Sequence, residues 1–172
     1  MATETDPLFT PADIDAAVAR IAAAIDRDLA GEVPLMVGIL KGSFVFLGDL
    51  VRAMDLPVEV DFIRARSYGG GMRSSGAVEI TKDLETDLSG RHVVVVEDIA
   101  DTGLTMEVVA ERIRAGHPAS VRRCALVVRE GCDPVPEYVG MMVGPGFVVG
   151  YGIDYAEAYR GLREIRTVRG TA

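Results

Sequence analysis

Apolar and polar residues follow two different periods along the chain. In residues 11–29, apolar side chains recur at steps of three and four, which predicts an amphipathic helix that begins after Thr10. Thr10 and the proline that follows it are typical of an N-cap and a first helical position. The helical spacing returns at 44–54 and 104–116. The pattern therefore predicts three helices.

Short apolar or alternating runs separate these helices and predict strands. They lie at 34–40, 58–68, 77–81, 91–98, 121–128, 137–143 and 147–152. Strands that alternate with helices build an α/β domain, with a mostly parallel sheet and helices on both faces. The stretch "GGGMRSSG" (69–76) joins a hairpin-like pair and is rich in glycine and serine. It predicts a mobile loop, or simply a flexible hairpin turn.

Length and charge limit the classes of function. The 172 residues suit one domain (1–172) with a sizeable core. The net charge of −8, from 18 basic and 26 acidic residues, disfavours broad contact with nucleic acid or an anionic membrane. No apolar run approaches membrane-spanning length, and the first residues lack signal-peptide character. Cys124 in its apolar run is expected in the core, and the protein is expected to be cytoplasmic.

Ligands of such sheets bind outside the carboxyl ends of the strands. Four predicted strand ends carry charge or glycine: "KGS" after 40, "EDIADTGLT" after 96, "REG" after 128 and "GIDYAEAYRG" after 151. Because these ends meet at one edge of a parallel sheet, we expect the functional site there.

The turn "DTGLT" has the composition of a phosphate cradle. Gly103, the hydroxyls of Thr102 and Thr105, and a helix that begins directly afterwards can present several N–H groups to an anion. An ordinary helix start with threonine as N-cap explains the same five residues equally well.

Three acids surround this turn. Glu97 and Asp98 can hold Mg²⁺ or accept hydrogen bonds from a sugar diol, and Asp101 is placed to accept a proton. Solvated loop charge is the alternative. Because Glu97 directly follows four valines, we favour a functional role.

The stretch "VVVVEDIADTGLT" resembles the phosphoribosyl pyrophosphate (PRPP) signature of type I phosphoribosyltransferases, in the E-D-x-x-D-T-G-x-T form of the hypoxanthine-guanine enzymes. Four further segments agree in order: "ILKGSFVF", "VDFIRARSYGG", "CALVVRE" and "FVVGYGIDYAEAYRGL". The resemblance covers about 34–165. It implies the type I phosphoribosyltransferase fold, with a mobile loop at about 67–77 and a small C-terminal purine-binding hood, mainly 129–172.

The resemblance assigns the PRPP-binding residues by motif. Glu97 and Asp98 would face the ribose hydroxyls and a Mg²⁺ ion, and Asp101 would exchange a proton with purine N7. Arg160 would contact pyrophosphate from the hood. The 5′-phosphate would bind to Asp101, Thr102, Gly103, Leu104 and Thr105.

Two further turns receive roles in the same way. Lys41 and Gly42 would bind pyrophosphate through backbone N–H groups. Ser67 and Tyr68 would belong to the loop that closes over the reaction. A surface position for Lys41, and pairing of Arg160 with Glu157 or Glu164, are the plain alternatives.

The remaining roles concern the purine. Phe147 would stack on the base, although the apolar run around it also suits a core position, and the Val148 backbone would contact the ring edge. Asp154 would hold a second Mg²⁺. Arg129 stands where the family usually has a lysine that donates to the 6-oxo group, and the two side chains are not interchangeable. Pro145 and Gly146 replace the acidic residue that relatives carry before the stacking phenylalanine.

The resemblance implies Mg²⁺-dependent purine salvage by a homodimer or homotetramer. The 5-phosphoribosyl group would pass from PRPP to N9 of hypoxanthine or guanine, giving IMP or GMP and pyrophosphate. Alternatives are a xanthine-preferring enzyme, an RNA-binding regulator of the same fold, and a non-catalytic nucleotide-binding module. The net charge disfavours the regulator, and the segment after 165 carries no signal and is expected to be a frayed end.

Overall fold

The computed structural model of the protein describes residues 4–68 and 77–170. The helices are α1 (Pro11–Asp28), α2 (Phe44–Ala53) and α3 (Leu104–Arg114). The strands are β1 (Thr5–Phe9), β2 (Leu35–Leu40), β3 (Glu59–Tyr68), β4 (Ala77–Lys82), β5 (His92–Ala100), β6 (Ser120–Arg129), β7 (Tyr138–Val143), β8 (Val148–Val149) and β9 (Ile165–Val168). Within these residues, no helix is both long and apolar enough to cross a membrane.

A six-stranded sheet forms the centre of the fold, in the order β4-β3-β2-β5-β6-β7. Every pair in it is parallel except β3–β4, the antiparallel pair at one edge. The mostly parallel sheet and the hairpin-like pair are therefore confirmed. Parallel pairing brings the carboxyl ends of β2, β5 and β6 to the same edge.

Helices cover both faces of this sheet, as the alternating pattern predicted. α1 and α2 pack on one face, where Ile14, Phe46 and Leu50 belong to the same buried cluster as the even-numbered valines of β5. α3 packs on the other face through Met106, Val109 and Ile113. Cys124 lies fully buried in the first core, as expected, and is a free cysteine.

Local signals set the start of α1. Thr10 is the N-cap, and its hydroxyl accepts a hydrogen bond from the Asp13 backbone N–H at 3.2 Å. The Asp13 carboxylate accepts the Thr10 N–H at 2.9 Å in return. This capping box satisfies two N–H groups that the helix leaves unpaired, which is why the helix begins at Pro11.

A second sheet, β1-β9-β8, stands beside the carboxyl edge of the first. The expectation of a frayed end after residue 165 is wrong, because β9 pairs with both neighbours and buries Ile165 and Val168. The strand predicted at 147–152 shortens to β8, and β1 was not predicted. These strands are short, and each depends on partners distant in the sequence, so alternation alone does not reveal them.

Candidate active site

Charged side chains and glycines gather where β2, β5 and β6 end. A cavity of about 590 Å³ opens there, with walls from both sheets. Most of the predicted site residues line it: Lys41, Gly42, Glu97, Asp98, Asp101, Thr105, Arg129, Phe147, Val148, Asp154 and Arg160. The structure thus brings together residues that are far apart in the sequence.

A smaller cavity of about 130 Å³ lies at the turn between β5 and α3. Thr102, Gly103 and Leu104 line it, together with residues of the larger cavity. Glu97, Ile99, Asp101 and Thr105 belong to both. The two cavities therefore adjoin along this acidic turn.

Gly103 shapes the smaller cavity. Its φ of 86° lies in the left-handed region that favours glycine, and a Cβ there would lie 3.1 Å from the Asp133 carbonyl oxygen. Gly103 is also the N-cap of α3 and has no side chain to cap the helix. The prediction of threonine as an ordinary N-cap is therefore wrong. A helix N-terminus of this kind favours an anion.

Gly42 allows a close approach on the other side of the larger cavity. A Cβ at this position would lie 1.8 Å from Asp98 Oδ2. A side chain here would displace either the turn after β2 or the Asp98 carboxylate. Glycine therefore allows the turn and the acid to lie in this close arrangement.

The two acids at the end of β5, Glu97 and Asp98, are only partly exposed, and the pKa of each is raised above its ordinary value. Burial raises the pKa of Asp98 to about 6, although Arg160 opposes the rise. Burial also raises the pKa of Glu97 well above its usual range, and the charges of Asp98 and Asp101 add to the effect. A cation bound beside these acids would relieve both effects.

The carboxylates of the larger cavity fit a Mg²⁺ ion that is bound partly by protein and partly by substrate oxygens. In the described parts of the chain, no three His, Cys, Asp or Glu side chains are close enough to hold a metal by themselves. Mg²⁺ is commonly bound by one or two carboxylates, with phosphate and water oxygens completing its octahedron. Glu97 and Asp98 offer such a pair, and Asp154 is a further acid of the same cavity.

Lys41 and Arg160 approach the same carboxylate, that of Glu157, at one side of the cavity. Lys41 Nζ lies 3.0 Å from Glu157 Oε2. Arg160 lies 2.7 Å from Asp154 and 3.4 Å from Glu157, and donates to the Gly152 carbonyl at 2.9 Å. The predicted pairing of Arg160 with Glu157 is confirmed, but in a turn rather than on a helix.

Arg129 ends β6 and links the turn after β5 to the segment after β7. Its Nε donates to Asp101 Oδ1 at 2.5 Å, and its Nη1 donates to the Gly144 carbonyl at 2.6 Å. These contacts use the planar fork of the guanidinium, which a lysine lacks.

Phe147 lies at the mouth of the cavity rather than in the core. It is 47% exposed and packs edge-to-face on Tyr155, with ring centroids 5.9 Å apart. Val148 is buried beside it in β8. β9 holds this segment, because Val168 N–H donates to the Phe147 carbonyl at 2.9 Å.

Part of the predicted site cannot be placed. The backbone of Ser67 and Tyr68 ends β3 and pairs with β4. Their side chains, and the segment 69–76 of the predicted loop, lie outside the described residues.

Three charged residues of the cavity were not predicted. Arg64 and Arg66 line it from β3, and Glu157 lines it from the hood. The i, i+2 spacing of Arg64 and Arg66 places both on one face of the strand, a signal that sequence reasoning could have used. Glu157 stood in the quoted "GIDYAEAYRG" stretch, but an exposed acid there gives no signal by itself.

Comparison with known proteins agrees with the geometry. The model of the phosphoribosyl transferase domain family matches residues 10–156. The chain is 41% identical to the hypoxanthine phosphoribosyltransferase of Haemophilus influenzae, over 95% of this chain and 94% of that protein. It is also 41% identical to the hypoxanthine-guanine phosphoribosyltransferase of Aquifex aeolicus, over 94% and 93%.

Solved structures give the same answer. A hypoxanthine-guanine phosphoribosyltransferase from Bacillus anthracis, with HEPES in its active site, superposes with a TM-score of 0.90 at 38% identity. The match covers 97% of this chain and 99% of that one. The type I phosphoribosyltransferase fold is thereby confirmed. The chain belongs to the phosphoribosyltransferase family and, within it, to the hypoxanthine and hypoxanthine-guanine phosphoribosyltransferases.

Proposed function

We propose that this protein is a purine-salvage enzyme that transfers the 5-phosphoribosyl group from PRPP to N9 of a 6-oxopurine. The products are IMP or GMP and pyrophosphate. One observation carries the proposal: Glu97, Asp101 and Thr105 line both the phosphate-sized cavity and the larger one. A single ligand can therefore place its 5′-phosphate in the first and its reacting carbon in the second.

The 5′-phosphate binds at the turn from Asp101 to Thr105. The N-terminus of α3 and the hydroxyls of Thr102 and Thr105 supply the donors. The ribose then lies over Glu97 and Asp98, whose carboxylates accept hydrogen bonds from its hydroxyls. This order places the anomeric carbon in the larger cavity.

The pyrophosphate group lies between the turn after β2 and the hood. Lys41, Gly42 and Arg160 contact it, since they meet on that side of the cavity. Glu97, Asp98 and Asp154 would hold Mg²⁺, which when bound supplies positive charge to the leaving pyrophosphate. The C1′–O bond to pyrophosphate breaks as the bond from C1′ to purine N9 forms.

The purine lies between Phe147 and the end of β6. Phe147 stacks on the ring, the Val148 backbone contacts its edge, and Arg129 donates to the 6-oxo oxygen. Asp101 accepts the proton that the purine loses at N7, as a positioned general base. Adenine carries a 6-amino group, which donates hydrogen bonds and would face the Arg129 guanidinium, another donor. Adenine is therefore disfavoured.

The proposal is tested by incubating the purified protein with PRPP, Mg²⁺ and each of hypoxanthine, guanine, xanthine, adenine and uracil. Nucleotide is expected from 6-oxopurines and not from adenine or uracil. Preference for xanthine would select the alternative enzyme. PRPP binding without transfer to any base would argue for a sensor.

We also propose that the protein forms a homo-oligomer and acts in the cytoplasm. The family resemblance implies a homodimer or homotetramer in the cytoplasm, and a closing loop that would follow Ser67 and Tyr68 at the end of β3. Light scattering coupled to size-exclusion chromatography tests the assembly directly.

A further inference from the structure

The Glu157 carboxylate lies between the side-chain cations of Lys41 and Arg160, two residues that the proposed function places beside pyrophosphate. Lys41 Nζ donates to both of its oxygens, at 3.1 and 3.0 Å. Arg160 Nη2 approaches Oε2 at 3.4 Å. Lys41 follows β2 of the large sheet and Arg160 belongs to the hood, so one carboxylate links the two walls of the cavity.

The backbone of the hood turn holds Glu157 in this position. Its N–H donates to Asp154 Oδ2 at 2.8 Å. Tyr155 and Ala158 exchange backbone hydrogen bonds of 3.2 and 3.1 Å around it. Ala156 and Glu157 have φ values of 52° and 64°, a region that residues with side chains rarely adopt. A strained turn that presents one acid to two cations suggests a role in the site.

Stability does not account for the contact. The Glu157 side chain is 68% exposed, and its partner Lys41 is 48% exposed. Ion pairs this exposed contribute little to folding, because water screens them. The same carboxylate nevertheless occupies the space in which an anionic ligand would contact Lys41 and Arg160 together.

We propose that Glu157 is a placeholder for pyrophosphate in the free enzyme, and that its carboxylate competes with the pyrophosphate group for Lys41 and Arg160. The inference rests on the proposed function and extends it. Both PRPP and pyrophosphate must displace Glu157 in order to bind. Its return to the two cations then favours release of the pyrophosphate product.

The competition is confined to one part of the substrate. A nucleoside monophosphate binds its phosphate at the turn from Asp101 to Thr105, in the smaller cavity, which Glu157 does not line. It therefore leaves the Glu157 contacts in place. Glu157 discriminates between ligands that carry pyrophosphate and those that do not.

The test is calorimetric binding of pyrophosphate, PRPP and IMP, each with Mg²⁺, to wild type and to Glu157→Gln. The variant is expected to bind pyrophosphate and PRPP about three- to tenfold more tightly, the scale of losing one exposed ion-pair competitor. Binding of IMP should not change. In turnover, KM for PRPP should fall, and kcat should fall where pyrophosphate release limits it.

Two variants serve as controls. Glu32→Gln makes the same change in net charge at the opposite edge of the sheet, beside His92, and should leave all three affinities unchanged. Glu157→Asp keeps the charge on a shorter side chain, and its affinities should lie between those of wild type and Glu157→Gln.

The outcomes separate this inference from the proposed function. If wild type binds neither PRPP nor pyrophosphate, the proposed function fails and this inference fails with it. If wild type binds both and Glu157→Gln binds them equally or more weakly, the placeholder role alone is overturned. An equal gain in affinity for IMP would also overturn it. The variant would then favour every anionic ligand simply because it carries one negative charge less.

Discussion

At the scale of single residues, three carboxylates of the site each face a cation or a glycine. Asp101 pairs with Arg129, Asp154 pairs with Arg160, and Asp98 lies against Gly42. The motif residues could be predicted from the sequence, because strand ends and the "DTGLT" turn mark them locally. The partners could not be predicted in this way. Glu157, for example, has its role only through Lys41, which lies 116 residues away.

Arg129→Lys should change base preference more than PRPP affinity. The lysine retains a donor for the 6-oxo group but cannot contact Asp101 and Gly144 at the same time. We expect KM for hypoxanthine and guanine to change relative to each other, with the Kd of PRPP altered less than about twofold. Steady-state kinetics with each base, together with PRPP calorimetry, measures both. Equal losses for every base and for PRPP would show that Arg129 holds the whole site instead.

Asp98→Asn should stabilise the metal-free protein at high pH. Burial raises the pKa of Asp98 to about 6, so the folded state holds this proton more tightly than the unfolded state does. Its contribution to stability is therefore present below about pH 4 and is lost as the pH rises to about 6. Asparagine carries no charge, so the variant does not lose this stability as the pH rises. Its advantage in free energy of unfolding should approach about 3 kcal/mol at pH 8.

The measurement is urea unfolding of wild type and Asp98→Asn without metal, at pH 4 and pH 8. The two proteins should differ little at pH 4. If Asp98→Asn raised the free energy of unfolding equally at pH 4 and pH 8, the raised pKa of Asp98 could not be the cause. A gain from better packing would not depend on pH. PRPP binding by the variant should be weaker, since asparagine lacks the negative charge proposed to hold Mg²⁺ and to strengthen the hydrogen bond to the ribose.

At the scale of secondary-structure elements, the two sheets contribute different walls of the site. β2, β5 and β6 were predictable because each contains a continuous apolar run followed by charge or glycine. β1 and β9 were not, because they are short and become strands only by pairing across nearly the whole chain: Thr5 pairs with Val168. β9 matters for the site because it pairs with β8 and holds the adjoining Phe147, the segment proposed to contact the purine.

Ile165→Ala should therefore impair purine binding selectively. Ile165 is fully buried in β9, and its truncation should cost about 2–5 kcal/mol of stability and loosen the segment that carries Phe147. We expect KM for the purine to rise severalfold while the Kd of PRPP changes little. Ile113→Ala in α3 is the matched control, being equally buried but remote from the hood. A similar rise in purine KM for both variants would mean that general destabilisation is the cause.

At the scale of the whole molecule, an acidic protein builds a site for two highly anionic ligand groups. The net charge is −8, yet the larger cavity gathers Lys41, Arg64, Arg66, Arg129 and Arg160. These cations come from β2, β3, β6 and the hood, so only the complete fold brings them together. The overall charge disfavours nucleic acid, while the local charge of the cavity fits PRPP and pyrophosphate.

In the proposed reaction, Asp101 acts as the general base while the phosphoribosyl group passes from PRPP to a 6-oxopurine. The most direct measurement is the rate of IMP formation from hypoxanthine and PRPP with Mg²⁺, in wild type and Asp101→Asn, beside the PRPP affinity of each. We predict turnover by wild type, a loss of about 100-fold or more in the variant, and similar PRPP binding by both. An Asp101→Asn enzyme that turns over at the wild-type rate, or a folded variant that no longer binds PRPP, would contradict the role given to Asp101. A wild type that binds PRPP but forms no nucleotide would contradict the account as a whole.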